Sequence, residues 1–61
     1  MDSWLLAQRA LIVSVEAEIQ GMIAMNQYRL ARDEVIAYDE RAFYAKAAEL
    51  LSIHEMIMKA R

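Results

Sequence analysis

Arg32-Asp33-Glu34-Val35-Ile36-Ala37-Tyr38 is the stretch on which the fold of this 61-residue chain turns. It separates two long segments of helix-forming residues and contains neither Gly nor Pro, so no strong breaker imposes a bend. Two readings compete. In the first, Asp33 ends or caps a helix, Val35 and Ile36 tuck into the end of a hairpin, and two helices fold back on each other. In the second, the helix runs on. Val15, Met22, Ile36, Phe43, Leu50 and Ile57 share one seven-residue register, the spacing of a long coiled coil. Arg29 interrupts that register, and the companion register reads Ile19, Asn26, Asp33, Glu40. Three polar residues in succession weaken a seam. The expected fold is therefore an all-α antiparallel hairpin, with a single long helix as its alternative.

Upstream of the joint, Ala, Leu, Glu, Gln, Met and Arg dominate, and these residues favour helix. Ser3 is the candidate N-cap, with acidic Asp2 beside it, for a first helix over residues 4–31. At about 100° per residue, Trp4, Leu5, Leu11, Ile12, Val15, Ile19, Met22, Ile23 and Leu30 fall within an arc of about 120°. Gln8 and Asn26 fall near its centre. Leu6, Ala10, Val13, Ala17, Ala24, Tyr28 and Ala31 form a second stripe, with Arg9, Glu16, Gln20 and Gln27 between the two. A helix with two apolar faces touches two neighbours.

Downstream, a second helix is expected over residues 40–60. Asp39 is its N-cap candidate, and Tyr38 with Phe43 has the spacing of a hydrophobic staple. Glu40 in the first turn and Lys59 and Arg61 in the last suit the helix dipole. The apolar arc holds Phe43, Tyr44, Ala47, Leu50, Leu51, Ile57 and Met58, with His54 near its middle. Arg41, Glu49, Ser52 and Lys59 face away.

Composition sets the assembly problem. Fifty-nine per cent of the chain is AVILMFWYC, with no Cys, no Pro and one Gly. That profile excludes a disulfide scaffold, thiolate metal sites and a cysteine nucleophile. Below roughly 70–80 residues a single core rarely supplies more than about 3–5 kcal/mol, and oligomerisation is the staple that remains. The whole chain, 1–61, is expected to be one hairpin domain that pairs with a second copy into a homodimeric four-helix bundle. Leu5, Ile12, Val15, Ile19, Met22, Phe43, Leu50 and Ile57 are its expected dimer core. Asp2 stands where a secretory signal would carry positive charge. The longest apolar runs, Ala10-Leu11-Ile12-Val13 and Met22-Ile23-Ala24-Met25, are far shorter than the roughly 20 residues of a membrane span. A soluble, cytoplasmic protein without membrane contact is expected.

Few residues offer chemistry. His54 is the sole histidine. In an antiparallel hairpin it is expected near the level of Val15 to Glu18, where Glu18 would orient it as a base or pH sensor. The plainer reading is a packed histidine satisfied by a carboxylate or the backbone, because no nucleophile has a fixed place beside it. Ser3, Ser14 and Ser52 read as a cap and helix-surface positions. A helical carboxylate metal site wants Glu-x-x-His, but Leu51 stands three residues before His54. Glu16 and Glu18 point about 200° apart at this helical pitch. No metal and no cofactor is expected.

Asn26, and His54 with it, are candidates for a polar register on the apolar seam, as buried amides act in coiled coils. Gln8 reads as a wet helix end. Arg29, Arg32, Arg41 and Lys46 gather toward the hairpin end, but Asp33, Glu34, Asp39 and Glu40 interleave with them and cancel most of the field. With a net charge of −2, nucleic acid is not the expected partner. A nucleic-acid-binding regulator of the helical-hairpin-dimer type is the alternative reading. Trp4, Met25, Tyr28 and Met56 are the candidates for contact with a partner protein, since methionine adapts to irregular surfaces and aromatics anchor interfaces.

The stretch Met25-Asn-Gln-Tyr-Arg, followed by Ala37-Tyr-Asp-Glu-Arg-Ala-Phe-Tyr-Ala-Lys-Ala-Ala-Glu-Leu, resembles small helical accessory proteins of tailed bacteriophages. These typically have a helix, a short polar joint, a Tyr–acid–Phe helix start and no assigned activity. The resemblance spans residues 25–51. It implies a phage or prophage origin, residence in the host cytoplasm and a binding role, and it assigns no functional residue. The functional expectation is a non-enzymatic protein–protein interaction module.

Overall fold

A computed structural model describes residues 3–60 of the chain. It contains two helices, α1 (Ser3–Ala31) and α2 (Glu40–Lys59), and no strand among the described residues. The helices pack antiparallel along their length, so the hairpin, and not the unbroken helix, is the observed fold.

The chain turns at Asp33 without help from glycine. Asp33 has φ 59°, the left-handed conformation, which Asp tolerates better than most side chains because its short polar group bonds locally. Around it the helix closes with a Schellman pattern. Glu34 N–H donates to the Arg29 carbonyl at 2.8 Å and Asp33 N–H to the Leu30 carbonyl at 3.0 Å. Six residues later Asp39 caps α2, with extended backbone and its Oδ1 accepting from Ala42 N–H at 3.2 Å, as its position predicts. Ser3 differs from expectation. It is the first residue inside α1, so it does not cap the helix; Asp2 lies outside the described residues.

The joint is held by polar bonds. Asn26 Oδ1 accepts from the N–H groups of Ala37 (3.0 Å) and Tyr38 (2.9 Å), while its Nδ2 donates to the Tyr38 carbonyl at 2.8 Å. Val35 and Ile36, expected to plug the hairpin end, do not do so. Val35 is 83% exposed and Ile36 41%. The eight-residue connection is anchored from Asn26, one turn inside α1, and its apolar side chains are left outside.

Between the helices, the less exposed residues of α1 are Leu5, Gln8, Ile12, Val15, Ile19, Met22, Asn26 and Arg29. They alternate in steps of three and four, the pattern of one narrow packing seam. On α2 the seam holds Phe43, Lys46, Leu50, Ile53 and Ile57, with Ala42 at its edge. Among the described residues only Val15, Met22 and Ile53 are buried. The outline explains why. The Cα trace extends 48 × 20 × 8 Å with a radius of gyration of 14.8 Å, against about 10.5 Å for a compact domain of this length. It is a slab one helix thick, so the seam is the only interior among the described residues.

Candidate interaction surfaces

The expected arc of α1 has the right phase, because its central residues form the seam, but it is too wide: Trp4, Leu11, Ile23 and Leu30, counted in it, are exposed. The arc of α2 needs correction. His54 is exposed and Ile53 is buried, so the packed line of α2 runs through Lys46 and Ile53. Tyr44, Ala47, Leu51 and Met58, counted in the expected arc, are exposed. The polar Lys46 hid this line: Phe43-Lys46-Leu50-Ile53-Ile57 carries the three-four spacing, with one charge inside it.

Lys46 sits in the seam with its ammonium between two carboxylates. It donates to Glu18 of α1 and lies 3.1 Å from Glu49 of its own helix. The hydrogen bond to Glu18, then that to Glu49, holds the ammonium above its ordinary pKa of 10.5. Glu18 is thus engaged by Lys46, and His54 stands eight residues further along α2. The expected pairing of His54 with Glu18 is not formed. Among the described residues no three His, Asp or Glu side chains gather where they could hold a metal ion. None of the described helices is long and apolar enough to cross a membrane.

Of the four cations expected near the hairpin end, Arg32 and Lys46 are engaged within the chain. Arg32 Nε meets Glu34 Oε1 at 2.6 Å, its Nη1 donates to the Tyr28 hydroxyl at 3.0 Å, and its guanidinium lies 5.3 Å from the Tyr28 ring centroid. Lys46 is held by Glu18 and Glu49, and Arg29 is half-buried at the end of the seam.

The slab has two broad faces, and the seam register sorts the remaining residues between them. One face carries a shallow groove lined by Leu11, Val15, Glu49, Ser52, Ile53 and Met56. Trp4, Leu11, Glu18 and Met25 follow one another at seven-residue intervals along this side of α1, with Tyr28 one turn beyond Met25. The four residues expected to touch a partner, Trp4, Met25, Tyr28 and Met56, therefore share one face, and all are substantially exposed. The opposite face carries Arg9, Glu16, Ile23 and Leu30 of α1 with Tyr44, Ala47, Leu51 and His54 of α2.

The eight residues expected in a dimer core lie between the faces. Val15 and Met22 are buried by the hairpin itself. Leu5, Ile12, Ile19, Phe43, Leu50 and Ile57 are half-buried within the chain and keep part of their surface open. Asn26 serves the joint. Gln8, read as a wet end, has its Oε1 shielded and without a hydrogen-bond partner among the described residues. No family model, no curated protein and no solved structure matches this chain.

Proposed function

We propose that this chain is a non-enzymatic protein–protein interaction module whose working form is a pair of hairpins packed as a four-helix bundle. One observation carries the reading. The hairpin exposes 4944 Å², where a compact monomer of this mass exposes about 4,000 Å². The surplus of about 900 Å² per chain matches the roughly 800 Å² that each partner contributes to a standard interface. Much of the exposed surface is apolar. Leu6 and Val13 on the outer side of α1 stand 56% and 63% open, so α1 has apolar residues on every side, the mark of a helix with further neighbours. Pairing would leave one face per hairpin for a partner protein, with Trp4, Met25, Tyr28 and Met56 as its contacts. The resemblance of residues 25–51 to tailed-phage proteins supports an accessory role in a phage-infected or lysogenic host cytoplasm.

Sedimentation equilibrium from 1 to 200 µM tests the first step. Two chains per particle at the upper end, with dissociation on dilution or none, is the expected result. A monomer of unchanged mass at 200 µM overturns the proposal.

A further inference from the structure

Resting on that self-association, we infer that the second copy seats on the face carrying Ile23, Leu30, Tyr44, Ala47 and Leu51, and that the grooved face stays outside. The surplus surface amounts to one interface per chain, not two. A single broad face is a rectangle of 48 by 20 Å, about 1,000 Å², close to the roughly 800 Å² a stable pair requires from each partner. Covering one face therefore accounts for the surplus.

Charge decides which one. On the grooved side Lys46 bridges Glu18 and Glu49 across the middle of the slab, and both carboxylates are half open to water. Burying that cluster against another chain would strip water from three charges, and the loss of hydration opposes burial before any attraction is recovered. On the opposite side, the half nearest the joint carries Ile23 and Leu30 of α1 and Tyr44, Ala47 and Leu51 of α2. Ile23, Leu30, Tyr44, Ala47 and Leu51 are uncharged, and the charges of their seven-residue columns stand at the ends: Glu40 at the first residue of α2, and Arg9 and Glu16 toward the open end. Leu30, Tyr44 and Leu51 are 63%, 68% and 57% exposed. An apolar centre with charge kept to the edge is the anatomy of an interface core and rim. A second copy is the occupant that the area argument specifies, and a two-fold arrangement lets the same patch serve on both chains.

The chain has no cysteine, so single-cysteine variants report each face directly. Leu51→Cys and Met25→Cys are compared for alkylation rate at 1 and 200 µM protein, and Leu51→Lys and Met25→Lys for dimer dissociation by sedimentation. The expected result is a thiol at position 51 that reacts at least about tenfold more slowly at high concentration, and one at position 25 that does not change. Leu51→Lys weakens the dimer by about 100-fold or more, since the substitution enters twice, and Met25→Lys by less than about threefold. Because the alkylation variants keep an uncharged residue of modest size at each position, they report even if the lysine variants unfold. Protection at position 25 and not at 51, or at both, overturns the face assignment while leaving self-association intact. A wild-type monomer at 200 µM overturns the self-association reading itself.

Discussion

Asn26 concentrates more of the joint's order than any other side chain. Its amide satisfies two backbone N–H groups and one carbonyl in a connection that buries almost nothing. Net contributions near 1 kcal/mol per hydrogen bond, reduced where water can compete, give about 1–2 kcal/mol for the set. Asn26→Ala should lower hairpin stability by that amount in urea titrations followed by circular dichroism. Asn26→Asp, which keeps the acceptor and loses the donor to Tyr38, should fall between Ala and wild type. Asp33 acts at the same scale through backbone conformation. A β-branched residue is strained at positive φ, so Asp33→Val is expected to cost about 1–2 kcal/mol, whereas Asp33→Gly should be neutral or stabilising in the same assay.

At the scale of the helix, α1 contains one avoidable weakness. Gly21 lies in its interior with nothing within 4 Å of where a Cβ would stand. Gly21→Ala should therefore stabilise the chain by about 0.5–1 kcal/mol through backbone entropy, visible as a higher melting temperature. The Lys46 ion pair predicts a pH dependence of definite sign. The folded-state pKa lies above the ordinary 10.5 because Glu18 and Glu49 accept from the ammonium. The stability this supplies is complete below 10.5 and disappears as pH rises through the raised value. Relative to Lys46→Met, the wild type should hold a constant stability difference from pH 7 to 10 and then lose ground. A difference that shrinks already between pH 7 and 9 contradicts the pairing.

At the scale of the molecule, the three buried residues among those described do not make a core of ordinary depth. Stability and association are expected to be coupled, so the melting temperature should rise with protein concentration. Ile19→Asp puts a carboxylate in the middle of the seam and should abolish both helicity and the proposed dimer, read by circular dichroism and sedimentation. If both signals are unchanged, Ile19 does not hold the seam.

The amino-acid sequence by itself determined that the chain is helical, where α2 would begin if the chain turned, and which line of α1 packs. Those are local matters; the choice of two helices over one unbroken helix came from the structure. Helix propensity, the Asp39 cap and the spacing of Leu5, Ile12, Val15, Ile19 and Met22 are written within a few turns of chain. It also singled out Asn26 as a polar residue on an apolar line, without revealing what it binds. Only the tertiary structure decided the phase of α2, because that helix has apolar residues over more of its circumference than one neighbour can cover. The register against α1 chose Ile53 over His54 and drew Lys46 inward to Glu18. The structure likewise chose between the two readings of the joint: Asp33, the candidate helix end, adopts the left-handed conformation that turns the chain. Bringing Trp4, Met25, Tyr28 and Met56 onto one face was tertiary too: side chains from two helices share a surface only once the pairing between those helices is fixed.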